Sequence, residues 1–487
     1  MSQKRETLLL FWALLITLFL IFIGIQFLSR VRDGETLMAR IMSSIATSTP
    51  KDQGFADIEA RISFGEKNLL PTEDSTANNQ KFRRQKARGI EAIANGQYFQ
   101  AVFAFEQALQ QYPNAPETLI YLNNARIGDT QAYTIATVVP IGGPNSNGAL
   151  EMLRGVAQAQ LEINAAGGIN GVPLKLAIVN DDDNPDVARQ LATMLVNDGQ
   201  FLAVTGHWTS DVSLAAAAVY DASKLVFITP ISTTTELSHL SPYVFRTTIN
   251  NYGGGKALAE YTLNQGRHQK VAIFFASNVT YSEEIRTEFA KSFSYQGGEI
   301  VAEFDFSDPH FSAHKSVEHA IAQAADMILL ATNNTSVDKA LQVVQANRRR
   351  IDLMGDLANL YSNKTLEVAG NAAIGMVMAI AWHIEGETQS NFPQRSRQLW
   401  QADVNYATAM SYDAMQVLIT ALKRNPTRAG IQQTLKAPDF SAPGAATTIC
   451  FLPSGDRQPQ IQLVEIQKVN QSRSGTGFDF IPIKSGG

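Results

Sequence analysis

From Tyr133 onward, short runs dense in Val, Ile, Leu and Phe alternate with longer stretches of helical periodicity, and this rhythm constrains the fold more than any other feature. YTIATVVPI, LKLAIVND, FLAVTGH, LVFITP, KVAIFFAS, DMILLAT and AAIGMVMAIAW read as strands, each bounded by Gly, Pro, Asn or Asp. ALEMLRGVAQAQLEINAAGG and PDVARQLATMLVNDG read as helices, the second opened by Asn184-Pro185-Asp186 and closed by Gly199. Parallel neighbours need a crossover long enough to hold a helix, so strand, helix, strand repeated in this way predicts parallel sheets with helices on both faces. The runs exceed what one twisted sheet holds comfortably, which predicts two α/β lobes. The stretch Ile249-Asn250-Asn251-Tyr252-Gly253-Gly254-Gly255 is the expected crossing between them.

Hydroxyl residues crowd the ends of two successive strand runs. Thr209-Ser210 follows FLAVTGHW, and Ser232-Thr233-Thr234-Thr235 follows LVFITPI. In open α/β sheets ligands bind beyond the carboxyl ends of strands. A helix start offers unpaired amides and a partial positive charge there, which favours an anion. Either cluster alone is explained as helix capping. Together, on neighbouring parallel strands, they can meet one carboxylate.

The N-terminal part is organised differently. Leu8 to Leu28 carries no charge, and 21 residues at about 1.5 Å rise span a hydrocarbon core of about 30 Å, so residues 8–28 are expected to form an uncleaved transmembrane anchor. Lys4 and Arg5 precede the run while Arg30, Arg32 and Arg40 follow it, so charge alone does not orient it. Residues 30–81, containing LLPTEDSTANNQ, read as stalk and linker. Residues 82–129 turn helical, and Gly89, Gly96, Tyr98, Ala101, Phe105, Ala108 and Pro113 resemble a tetratricopeptide repeat. A plain helical hairpin explains the same pattern. One such unit is too few to stand alone, so it is expected to lean on the next domain, the stalk or a second chain.

Composition removes several functions. A net charge of -5 over 487 residues leaves no basic footprint for nucleic acid. The single cysteine, Cys450, rules out an internal disulfide and a cysteine-rich zinc site. His207, Ser210 and Asp211 imitate a catalytic set, but neighbours on one loop seldom reach triad geometry, and no G-x-S-x-G accompanies them. No G-x-G-x-x-G follows the first strand, and Asp181-Asp182-Asp183 is better explained as a strand end and helix cap than as a metal site. No enzyme activity, cofactor or metal is expected.

The segment IGGPNSNGALEMLRGVAQAQLEINAAGGINGVPLKLAIVNDDDNPDVARQLATMLVNDG, the hydroxyl-rich stretch after it, YVFRTTINNYGGGKALAEYTL, VAIFFASNVTYSEEI, NYATAMSYDAMQVLITAL and FLPSGDRQPQIQLVEIQ resemble, in order, the type I periplasmic binding proteins. The likeness is to the leucine/isoleucine/valine-binding receptors of ABC transporters. The resemblance implies a two-lobed α/β fold over residues 132–475, preceded by the transmembrane helix and the short all-α segment. The first lobe would take about 132–250 and part of 382–445, the second about 251–381 and the C-terminal strands. It further implies that Ser210 and Thr233 hold a ligand carboxylate, that Ile231 and Ser232 contribute beside them, and that Tyr281 closes over the ligand from the second lobe. Asp356 or Leu357, in MGDLANL, falls where the family places a glutamate for the ligand's ammonium, and Asp356 is the residue able to serve.

There are departures. Asn333-Asn334-Thr335 and Gly148 stand where the family has aromatics, Thr209 stands where it has a disulfide cysteine, and Asp211 is unusual beside a carboxylate. The expected pocket is therefore more polar and less aromatic. The function implied is a solute-binding protein anchored in the inner membrane, residues 30–487 outside the cytoplasm, which closes over an amino acid or related carboxylate for an ABC-type importer. A ligand sensor signalling through a partner on the helical segment is the alternative.

Overall fold

A computed structural model describes residues 57–483 except 72, 74–78, 144, 265–267, 387–388 and 459. The apolar run 8–28 lies outside the described residues, and among those described no helix is long and apolar enough to cross a membrane. The chain divides after Glu59, and everything below belongs to the unit Ala60–Gly487.

The first sheet contains β1 (Ile62–Ser63), β2 (Tyr133–Val139), β3 (Leu174–Asn180), β4 (Phe201–Gly206), β5 (Val226–Thr229) and β6 (Val244–Arg246), in the order β1-β3-β2-β4-β5-β6. Strands β2 to β6 run parallel, and β1 pairs antiparallel with β3 through Ile62 opposite Val179. The second sheet contains β7 (Lys270–Phe275), β8 (Glu299–Asp305), β9 (Met327–Leu330), β10 (Asp352–Gly355), β11 (Val377–Ile380), β12 (Gln462–Lys468) and β13 (Phe478–Pro482), in the order β13-β12-β11-β10-β9-β7-β8. There β12 is the reversed strand, antiparallel to both β11 and β13, and the other pairings are parallel. The chain passes between the sheets after β6, returns after β11 to form the helices Phe392–Trp400, Tyr406–Arg424 and Arg428–Leu435, and passes again before β12.

Local chemistry accounts for the elements. Asn184 caps the helix Pro185–Asn197 by accepting from the amides of Asp186 and Val187 at 2.9 and 3.2 Å, with proline at the first position where no amide bond is needed. The helix Ser146–Ala165 packs on Tyr406–Arg424 so closely that a Cβ at Gly155 would lie 2.2 Å from the Thr408 carbonyl oxygen. Only glycine permits that approach. Arg246 is buried against Asp456 at 2.6 Å and also donates to the Thr234 carbonyl, clasping the first and third passages together.

Residues 60–71 fall in the segment read as stalk and linker, and they are built into the first lobe. A two-residue strand carries too little pattern to be seen in sequence, yet β1 extends the sheet, and Asn124 donates to both the Phe64 and Leu176 carbonyls at 2.8 and 2.7 Å. The helices Gln80–Ala94 and Tyr98–Gln111 form an antiparallel hairpin with the Phe105 ring against Gly89, and the buried helix Pro116–Ile127 joins them to the sheet. A wholly buried ionic triad fixes this segment: Lys86 contacts Glu73 at 2.7 Å and Glu117 at 2.6 Å. The remaining carboxylate positions accept from the amides of Leu69, Leu70 and Glu117 and from the Thr118 hydroxyl, so both charges are satisfied.

Candidate functional site

Thr205 in β4 lies beside Ile228 in β5, so the loops that follow the two strands emerge at one sheet edge. His207 adopts a left-handed backbone conformation with φ of 46°, and its ring turns into the core, within 2.7 Å of Asp181 and 3.2 Å of the Tyr220 hydroxyl. The superficial His207, Ser210, Asp211 set is thereby dismantled. Two residues on, Thr209 directs its hydroxyl to Asp183 at 2.7 Å and so does not cap the helix Ser210–Ala222 that it precedes. Among the described residues the opening amides of that helix have no side-chain cap, at the end that favours an anion.

Between the lobes lies a cavity of about 300 Å³. Ser210, Ile231, Ser232 and Thr233 line it from the first lobe and Tyr281 from the second, so five of the six residues expected from sequence share one cavity. The hydroxyls of Ser232 and Thr233 are buried and have no hydrogen-bond partner among the described residues. Thr233 is held from behind, where its carbonyl accepts from the Asn251 amide at 2.8 Å. Tyr281 accepts from the Leu357 amide at 3.1 Å, which leaves its own proton for another acceptor. Burial, reinforced by the nearby Asp356 charge, pushes the Tyr281 phenol well above its ordinary range and keeps it protonated.

Asp356 does not line the cavity, which corrects the expectation that it meets a ligand ammonium. It is fully buried, and its two oxygens accept from the amides of Thr332, Ala358 and Asn359 and from the Thr332 hydroxyl. Burial raises its pKa against the pull of these donors. With its acceptor positions occupied, the carboxylate shapes the loop, and Ala358 and Asn359 reach the cavity instead. Leu357 is buried against Gly254.

Among the described residues the acids on the cavity wall are Asp183 and Asp211, and no Lys, Arg or His lines it. Burial raises the Asp183 pKa, opposed by hydrogen bonds from Thr209 and Asn145. Asp211 accepts from the Thr280 hydroxyl of the second lobe at 2.8 Å, so the residue that looked misplaced beside a carboxylate joins the lobes. Asn334 donates across the cleft to Asn145. Glu284, on the helix Thr280–Tyr295, accepts from the Thr234 hydroxyl at 2.6 Å, the Thr235 amide at 3.1 Å and the Asn251 side chain at 2.6 Å.

The pocket is also more aromatic than expected. Trp208 lies over Gly148, where a Cβ would come within 2.4 Å of the indole, and Tyr406 adds a further wall. An aromatic absent at Gly148 is replaced by one from an adjacent loop. Trp208, Tyr406, Asn145, Asp183 and Asn359 all escaped sequence reasoning; the Trp directly before the hydroxyl cluster was the one visible signal.

Comparison with known proteins agrees with this architecture. A family model described as periplasmic binding protein matches residues 132–473. The leucine-specific-binding protein of Salmonella typhimurium is 26% identical over 322 residues, covering 65% of this chain and 84% of that protein. The amino acid binding protein of Pseudomonas aeruginosa is 34% identical over 140 residues, 28% of this chain and 37% of the relative's length, so that match spans well under half of it. A leucine binding protein of Thermotoga maritima superposes with a TM-score of 0.62 at 20% identity over 72% of this chain and 97% of that one, a likeness of fold.

Proposed function

Since this chain belongs to the periplasmic binding protein family, we propose that it captures a small carboxylate-bearing zwitterion, an amino acid or close relative, in the cleft between its lobes. The buried, unpartnered hydroxyls of Ser232 and Thr233, set beside the uncapped helix start at Ser210, carry this reading. These groups donate to a carboxylate. Asp183 and Asp211 set the other charge: with two acids and no base among the described residues of the wall, a polyanion is repelled while a ligand carrying an amine is tolerated. Trp208 and Tyr406 offer apolar surface to its side chain.

Ligand contacts from both lobes favour the joined state, and a shifted hinge equilibrium is the signal passed to an ABC-type importer. In this proposal residues 8–28 tether the protein to the cytoplasmic membrane with the bulk of the chain outside it. A second reading, sensing for a partner protein through a tetratricopeptide-like segment, draws on the attachment of the helical hairpin to the first lobe by the Lys86 triad. A thermal-shift screen of amino acids, diacids and simple carboxylates on the full chain in detergent tests the site. Monocarboxylate amino acids should stabilise it, and Ser210→Ala and Thr233→Ala should abolish the shift. If no carboxylate stabilises the protein, or both variants respond as the parent does, the assignment fails.

A further inference from the structure

The helical hairpin carries a surface that the ligand site does not use. The helix Gln80–Ala94 contains Lys81, Arg83, Arg84 and Arg88, all exposed, against one carboxylate, Glu91. None of the four cations makes an ion pair among the described residues; Lys86, the remaining base on this helix, is consumed by the buried triad. On the adjoining helix Tyr98–Gln111, Phe99 and Phe103 stand one turn apart, 85% and 62% exposed. The two helices pack through Gly89 and Phe105, with Phe82, Ala92, Ala101, Ala104 and Ala108 buried, so the cations and the two rings lie outside the hairpin's core.

Exposed aromatics and uncompensated cations on one hairpin match one surface above others: a layer of anionic lipid headgroups, which attracts the charges and admits rings at its apolar boundary. A second copy of this chain is a poor occupant. Two-fold pairing on this face would bring like charges together. We propose that the hairpin rests on the anionic lipid surface of the membrane to which the chain is tethered, with Lys81, Arg83, Arg84 and Arg88 over lipid phosphates and Phe99 and Phe103 in the headgroup boundary. The inference rests on the membrane-anchoring part of the proposed function. It makes the hairpin a strut that fixes the first lobe relative to the bilayer, leaving the second lobe to move.

The test uses the full chain with Cys450→Ser and Gln110→Cys, the new thiol carrying an environment-sensitive fluorophore, reconstituted into vesicles of phosphatidylcholine alone or with phosphatidylglycerol. Flotation with the vesicles reports the anchor; emission reports the hairpin. Emission should shift to the blue only with phosphatidylglycerol and return in high salt. Arg84→Glu with Arg88→Glu should lower the shifted fraction by roughly fivefold per cation removed, and Phe99→Ser with Phe103→Ser should remove the shift, ligand binding being unchanged in both. Flotation with identical emission on the two lipids overturns the contact and leaves the anchor standing. Absence of flotation overturns both. Self-quenching that grows with protein density on either lipid, or a shift that appears only with co-reconstituted membrane proteins, assigns the face to a protein and overturns the proposal.

Discussion

Replacing Thr233 by valine separates a ligand contact from a structural one, because the two roles predict opposite signs. Thr233 is 6% exposed and its hydroxyl has no partner among the described residues. A buried hydroxyl left unsatisfied costs about 1–3 kcal/mol, and valine keeps the shape and the β-branch while removing it. The ligand-free protein should gain about 1 kcal/mol, an upward shift in Tm of roughly 1 °C for a unit of this size. Binding should move the other way. A hydrogen bond to a charged acceptor contributes about 1.5–3 kcal/mol, so the Kd of a carboxylate ligand should rise by roughly 10- to 150-fold. Calorimetric titration and thermal melts on the same preparations read both quantities. Ser213 provides the control: its hydroxyl is likewise buried and unpartnered but lies outside the cavity, so Ser213→Ala should leave the Kd unchanged. A Thr233→Val protein that melts lower, or that binds as tightly as the parent, refutes the reasoning.

Glu284→Ala removes the acceptor shared by Thr234, Thr235 and Asn251; the joined state should lose population, seen as a larger radius of gyration in solution scattering and a Kd weakened on the order of tenfold, whereas unchanged scattering would show that the latch contributes nothing. Lys86→Met strands two buried carboxylates, Glu73 and Glu117, and should cost about 3–5 kcal/mol in denaturant unfolding; adding Glu73→Gln and Glu117→Gln should restore most of it, and a mild single variant would mean the triad is not buried as described. Burial alone would raise the Asp456 carboxyl, but Arg246 and the hydroxyls of Ser238 and Ser454 outweigh it and hold the group below the ordinary carboxylate value. A depressed folded pKa gives stability that is present above the unfolded value of about 4 and lost as pH falls through the folded one. The pH dependence of unfolding below pH 4 should therefore flatten in Asp456→Asn, and an unaltered slope would rule out this pair as its source.

The runs named from composition all contain strands, because buried parallel strands are continuous in apolar residues on both faces. What escaped was short or half-exposed: β1 at two residues, β6 at three, β10 at four, and β8, β12 and β13, most of whose residues are half-buried or exposed. At the site, Ser210 and Thr233 were legible because hydroxyls at strand ends announce donors regardless of their neighbours. Asp356 misled because a carboxylate looks the same in sequence whether its oxygens face a ligand or, as here, two amides of its own loop and the amide and hydroxyl of Thr332. Trp208 was hidden for a related reason, since its place depends on the room left by Gly148, 60 positions earlier in the chain by their numbering.

By itself, then, the sequence determined the alternation of strand and helix, the two lobes that follow from it, and a pair of donor clusters at neighbouring strand ends. Each of these is a periodicity or a local residue preference. Tertiary structure decided which donors stay unpaired, which acids face the cavity, and that the helical segment is fastened to the first lobe. Those outcomes turn on distances between residues far apart in the chain, and a hydrogen bond or a buried ion pair exists only once the fold has brought both partners within about 3 Å.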